Sequence, residues 1–294
     1  MRIFRASLLF LGLVCACAPH PTHAHEYRLQ AATSWVENLS RTSFEPTAQD
    51  AALHSLDAAY VHARQLASNW TVIVGADAGL EYVPDFDALD RTSLGARATL
   101  RRKFGLGAFA PVLDASAALT RVEFRENGRS GWRSDASLTL GKRLHETWRV
   151  AAFASWESFT ARAAPFDTHS RRVGLETTWD ATDRWRFSAG GARLRGQVVA
   201  NAAWSVWGPA INGGFGPVVN DYYNSVPWAV TDTFGPGWVA YRVEATANFW
   251  WAEASFSLRE QTRVTLRGET VKVVNRIAVR YDSEIWSLGL VHRF

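Results

Sequence analysis

A two-residue hydrophobic rhythm, kept up over segments of about 10–15 residues, constrains this chain more than any other feature. Between 72 and 82, Val72, Val74, Ala76, Ala78, Leu80 and Tyr82 alternate with Ile73, Gly75, Asp77, Gly79 and Glu81. The segment 93–103 sets Leu94, Ala96, Ala98 and Leu100 against Arg97 and Arg101, and 133–143, 172–179 and 263–269 repeat the pattern. Side chains of a strand alternate between its two faces, whereas a helix would need a period near 3.6. The rhythm therefore predicts strands, about twelve of them, at 28–40, 56–66, 70–83, 92–103, 110–124, 132–143, 147–162, 170–180, 184–199, 238–258, 262–274 and 279–294. In the tenth, the apolar parity switches between Trp251 and Ala252, which reads as a bulge.

These segments are long: strands of soluble domains average about 5–6 residues. Short turns (near 67–70, 104–109, 144–147, 180–184 and 259–262) alternate with longer loops, the longest at 200–237. Hairpins with short turns on one side and long loops on the other are how strands cross a bilayer repeatedly. After the N-terminal segment no apolar run reaches 18 residues, so helical spanning is excluded. The 14 Trp, 16 Phe and 7 Tyr are many for a mean hydropathy of −0.13, and Trp70, Trp148, Trp179 and Trp185 each sit beside a short turn, where an interfacial belt would place them. The expected fold is all-β: an antiparallel up-and-down transmembrane barrel of about twelve strands, closed because an open sheet edge cannot lie in lipid. An even strand number puts both termini on the short-turn side.

Residues 1–24 have the layout of a secretory signal peptide. Arg2 and Arg5 precede an apolar stretch from Ala6 to Ala18, and Thr22 and Ala24 occupy the small-residue positions of a cleavage site. Cleavage after Ala24 would leave the barrel as 25–294. Cys15 and Cys17, the two cysteines, both lie in this segment, and lipidation of Cys17 is the alternative processing. A cleaved chain has no disulfide framework and no thiolate site. The net charge of +4 includes Arg2 and Arg5, so the remainder is close to balanced and makes no case for nucleic-acid binding.

The C-terminal segment SLGLVHRF, with Ser287, Gly289, His292 and the final Phe294, resembles the last-strand signal of Gram-negative outer-membrane β-barrel proteins. His292 departs from the usual aromatic. The resemblance implies that Gly289, His292 and Phe294 form an assembly signal read by the barrel-assembly machinery. It also implies a lipid face formed by Trp286, Leu288, Leu290, His292 and Phe294, with outer-membrane lipid and lipopolysaccharide as neighbours.

Three sets of residues could carry function. Arg97, Arg101, Arg133, Arg143, Arg149, Arg172, Arg242, Arg263 and Arg267 fall on the polar parity with Asp77, Glu81, Asp114, Asp135, Glu157, Glu176, Glu244 and Glu269. Such a lining suits a narrow channel for small polar or anionic solutes, although the near-matched signs equally suit a lumen filled by ion pairs, as in a structural, surface-binding or assembly barrel. His62, on a polar strand face, reads as lumen filler. The 200–237 loop carries Trp204, Trp207, Tyr222, Tyr223 and Trp228 and few charges, a composition for binding or constriction at the outer mouth. Asp167, His169 and Ser170 raise a lipid hydrolase, but adjacent residues on a strand point to opposite faces and cannot readily pair as base and nucleophile. No residue pattern calls for a metal or cofactor.

Overall fold

The computed structural model describes residues 24–294. The expected signal peptide, its cysteines included, lies outside the described residues except for Ala24. Thirteen strands form one antiparallel sheet: β1 (Ala24–Val36), β2 (Ala51–Ala67), β3 (Trp70–Tyr82), β4 (Arg91–Lys103), β5 (Val112–Phe124), β6 (Gly131–Arg143), β7 (Trp148–Ala161), β8 (Thr168–Asp180), β9 (Trp185–Ala203), β10 (Trp228–Thr231), β11 (Trp238–Arg259), β12 (Thr262–Asn275) and β13 (Arg280–Arg293). Each pairs with its sequence neighbour except where β9 passes over the short β10 to pair with β11, and β13 pairs with β1. The result is a closed barrel of twelve strands, with β10 as an extra strand on the edge of β11 above β12.

The alternation does what it predicts. Val74, Leu94, Leu175 (67% exposed) and Leu288 (57% exposed) stand on the outer wall, and their strand neighbours face the lumen. At the turn end the belt is unbroken across β7, β8, β9 and β11: Trp148 stacks on Trp179 at 5.9 Å, Trp179 meets Phe187 at 5.7 Å, Phe187 stacks on Trp185 at 5.9 Å, and Trp185 meets Phe256 at 4.8 Å. Trp35, Trp132, Trp156, Trp250 and Trp286 stand exposed on the wall nearer the other end. No described helix is long and apolar enough to cross a membrane.

Three expectations about the strands need correcting. The second strand begins at Ala51 rather than 56. The first strand ends at Val36 rather than 40, because Asn38 and Arg41 take positive φ (51° and 54°) and turn the chain out of the sheet. The Asn38 amide group also donates to the carbonyls of Thr42 and Asp282, so it belongs to the loop. There is no bulge at Trp251–Ala252: the pairing of β11 with both neighbours runs through these residues unbroken, and the irregularity falls at Ser257–Arg259. Trp250 is the wall residue and Trp251 faces the lumen, which mean polarity along the strand does not reveal.

β9 and β11 are the longest strands, 19 and 22 residues, and their hairpin stands above the rest of the barrel. Its tip is not a loop. It holds two helices, α1 (Trp204–Ile211) and α2 (Pro217–Ser225), and then β10. Trp207 (1% exposed), Tyr223, Val239, Tyr241 and Val243 form a core there with Ala200 and Ala202. In β11 and β9 these positions belong to the lumen-facing rows, so the helices pack against the inner side of the hairpin.

Candidate functional site

The site is the lumen together with the cap that the hairpin places over one mouth. Register puts Asp77, Glu81, Arg97, Arg101, Asp114, Arg133, Asp135, Arg143, Arg149, Glu157, Arg172, Glu176, Arg263, Arg267 and Glu269 on the lumen face. Arg242 and Glu244 need correcting, because they share the parity of Trp250 and point away from the lumen. The Arg242 guanidinium instead donates to the carbonyl of Asp167 at 2.8 Å, in the β7–β8 loop. The misreading traces to the supposed bulge: without it, the parity of Trp250 carries straight up β11. His62 needs the same correction, since it stands on the outer wall, its ring 4.8 Å from that of His25.

The lumen charges are partly paired. Arg101 makes a two-pronged bond to Asp114, both arms 2.8 Å, Arg91 reaches Glu81 at 2.7 Å, and Arg133 lies 3.5 Å from Asp135. Arg267 joins Glu253 and Glu269. Arg97 and Arg149 make no ion pair with any described residue, and neither do Asp77 and Glu176. The distribution is also polar along the axis. Within four residues of the strand ends at the turn side, the lumen carries Arg101, Lys103, Arg143, Arg149, Arg186, Arg263 and Arg293 against Glu26, Asp114 and Asp180. Four of these bases (Arg101, Lys103, Arg143 and Arg149) line a cavity of about 500 Å3 there. Nearer the cap the balance reverses, with Asp57, Asp77, Glu81, Asp135, Glu157, Glu176, Glu253 and Glu269 outnumbering Arg28, Arg91, Arg97, Arg133, Arg172 and Arg267.

Midway up, aromatic rings enter the lumen. The Arg172 guanidinium sits 4.2 Å over Phe249, 5.5 Å from the Trp251 ring and 5.9 Å from Phe153. Gly174 and Gly190 make room: a β-carbon on either would overlap the Phe153 or Trp251 ring. The sequence hid this cluster behind the misassigned Trp251, although two lumen-facing glycines on neighbouring strands are a signal that a large side chain lies opposite.

Above it the cap touches the loops all round the mouth. Asn201 donates to the carbonyl of Ser40 at 2.7 Å, and Phe234 packs edge-on against Phe86 at 5.0 Å. Thr231 and Thr233 donate to the two carboxylate oxygens of Glu126, at 2.9 and 2.5 Å, and Arg129 holds the same carboxylate at 2.6 Å. Burial alone would push the Glu126 carboxyl up, but Arg129 and the two threonine hydroxyls outweigh it and hold the group below its usual range. On the other side the Arg276 amide donates to the carbonyl of Glu244. Of the aromatics expected to work at the mouth, Trp207 and Tyr223 are buried in the cap core, with Trp207 4.5 Å from Tyr241 and 5.0 Å from Tyr223. Burial and the neighbouring Tyr223 push the Tyr222 hydroxyl up to about 12. Trp204 and Trp228 remain exposed. Glu126, Arg129, Phe86 and Phe234 were not legible as partners, because their loops are far apart in sequence.

At the last strand, Gly289 faces the lumen beside Thr265, His292 bonds Thr262 at 2.9 Å and meets Phe294 edge-on at 4.4 Å, and Phe294 is exposed. His169 and Ser170 stand on opposite faces of β8, His169 outward and Ser170 inward.

A closed, charge-lined barrel with an aromatic belt and short turns at one end defines the class: the fold is that of the Gram-negative outer-membrane β-barrel proteins. It is similar to an outer-membrane channel from Pseudomonas putida F1, with a TM-score of 0.57 at 13% identity over 94% of this chain and 97% of that one. The NanC porin gives 0.45 at 6% identity over 90% and 98%, and the outer-membrane channel DcaP of Acinetobacter baumannii 0.43 at 7% over 92% and 97%. At such scores the latter two add nothing to the first. No protein-family model and no curated protein matches the chain.

Proposed function

We propose that the protein is an outer-membrane channel for small anionic solutes, with its turns and termini in the periplasm and its cap outside. The observation that carries this is the lumen itself: charged side chains line it from the turn end to the cap, with seven bases against three acids at the turn end. Unpaired guanidiniums such as Arg97 and Arg149 supply the field that favours anions. On this reading the cap, held to the loops around the outer mouth, is the gate, and passage requires its displacement.

The test is single-channel conductance of the refolded protein, compared with a variant in which 204–237 are replaced by a short turn. Rare openings in the intact protein, and steady anion-selective current without the cap, are expected. A silent capless barrel that still shows heat-modifiable gel migration would refute the channel. It would favour the second reading, a barrel filled for surface binding or assembly, which the ion pairs at Arg91, Arg101 and Arg267 and the packed cap support.

A further inference from the structure

The outer wall carries a charge pattern that the lumen does not explain. Arg171 on β8 and Arg195 on β9 are direct cross-strand partners, and Arg193 lies opposite Val173. All three are exposed and share the wall parity of Val173 and Leu175. Several other charges on this wall are neutralised: Arg121 and Arg162 pair with Glu123, Arg125 with Asp87, and Lys272 with Asp282, while Arg102 lies over Trp70 and Phe104. Arg64, Lys142, Arg280 and Glu284 stand singly on other strands, and only at β8–β9 do three arginines cluster. The three arginines have no ion pair among the described residues. Two like charges directly opposite on a sheet repel, and a cation facing lipid is costly at the midplane but nearly free of cost at the interface.

Height removes most of that cost. Arg171 lies eight residues above the belt residue Trp179 on β8. At about 3.3 Å per residue and a 40° tilt this is a rise of roughly 20 Å, against an apolar band of about 25 Å. The guanidiniums therefore reach the head-group layer at the cap end.

What surrounds them narrows the partner. A cavity of about 560 Å3 has Trp156, Ser158, His169, Arg171, Arg195 and Glu244 on its wall side, and Asp135 and Glu157, whose strand parity is that of the lumen, also contribute to its lining. Paired arginines match the oxygens of a phosphate. Glu244 would repel a phosphate, yet it accepts hydrogen bonds from sugar hydroxyls, as Ser158 does, and Trp156 offers an apolar face. We propose that this wall site binds the phosphorylated saccharide head group of a lipid in the cap-end leaflet, that is, lipopolysaccharide. The assignment to lipopolysaccharide rests on the reading that the cap faces outward.

The experiment measures lipid retained by the refolded full-length chain in detergent, by mass spectrometry of the intact complex. The probes are bisphosphorylated lipid A, its dephosphorylated form and phosphatidylglycerol. Expected is retention of bisphosphorylated lipid A that falls at least tenfold on dephosphorylation and at least tenfold in the Arg171→Ser/Arg195→Ser double variant, with recovery in Arg171→Lys/Arg195→Lys. Glu244→Gln should raise phosphatidylglycerol retention, because the repulsion of its phosphate is removed, and so narrow the preference for lipid A. Heat-modifiable migration confirms that each variant is a folded barrel. Unchanged lipid A retention in the double serine variant would overturn the site and leave the channel reading standing. Preference for phosphatidylglycerol, lost in the double variant, would overturn the saccharide assignment and with it the outward placement of the cap.

Discussion

Replacing Trp207 with alanine should separate the cap from the barrel. Trp207 is 1% exposed and packs against Tyr241, Tyr223 and Trp228 with centroids 4.5, 5.0 and 6.0 Å away. Burying an aromatic of this size removes about 150–250 Å2 from water, worth roughly 4–6 kcal/mol at 25 cal/mol per Å2, and measured Trp→Ala losses run about 3–5 kcal/mol. Taking about 4 kcal/mol, the ratio of undocked to docked cap should rise about a thousandfold, since each 1.4 kcal/mol is a factor of ten. That surface lies against the β9–β11 ribbon above its last rungs with β8 and β12, so the loss should not reach the twelve-stranded ring below. The assay is paired: limited proteolysis within 204–237, and open probability in a planar bilayer, with heat-modifiable migration as the check on the barrel. Faster cleavage and longer openings, in a barrel of normal mobility, are expected. A cap as protease-resistant and as closed as in the unmodified protein would refute the claim that this aromatic core holds it down.

Arg97→Ser should move the reversal potential toward cations, because Arg97 is an unpaired lumen guanidinium; an unchanged potential in a salt gradient would remove it from the ion path. The Glu126 latch should be acid-sensitive. Its carboxyl is held below its ordinary value, so the stabilisation is full above the unfolded pKa near 4.5 and is lost as pH falls through the lower folded value. The protection factor at 231–234, the exchange rate corrected for its intrinsic pH dependence, should therefore fall on acidification in the unmodified protein and stay nearly constant over that range in Glu126→Gln. Gly190→Ala should destabilise the barrel by about 1–3 kcal/mol through overpacking against Trp251; thermal unfolding in detergent with no loss would show that the ring has room to move.

The wall was legible because one constraint acts on it everywhere. Lipid outside and charge inside force the same alternation on Val74–Asp77, Leu94–Arg97 and Leu175–Glu176, so strand count and facing follow from local sequence. The rule fails where lipid is no longer the outside. In the upper half of β11, Val243, Ala245 and Ala247 are apolar because helices and neighbouring lumen residues cover them, while Arg242 and Glu244 face outward above the apolar band. Hydropathy alone reverses their assignment. The cap was visible only as an aromatic-rich segment, since its placement depends on contacts such as Asn201 to Ser40 and Thr233 to Glu126, separated by 161 and 107 residues. The helices themselves carry Pro209 and a glycine-rich connection and are held by Trp207 and Tyr223 rather than by propensity.

The way the cap is attached has a mechanical meaning. It does not hang from a flexible tether but continues two wall strands, paired without a break from Trp185–Phe256 to Ala203–Trp238. The last rung that β9 shares with β8 is Ser170–Gly196, and Gly196 has a φ of 146°. Above that rung the ribbon is a stiff lever with its fulcrum at a glycine. A lever of this kind cannot yield piecemeal, because bending any one rung carries helices, β10 and latch along together. Current through such a barrel should switch between two levels rather than grade between them.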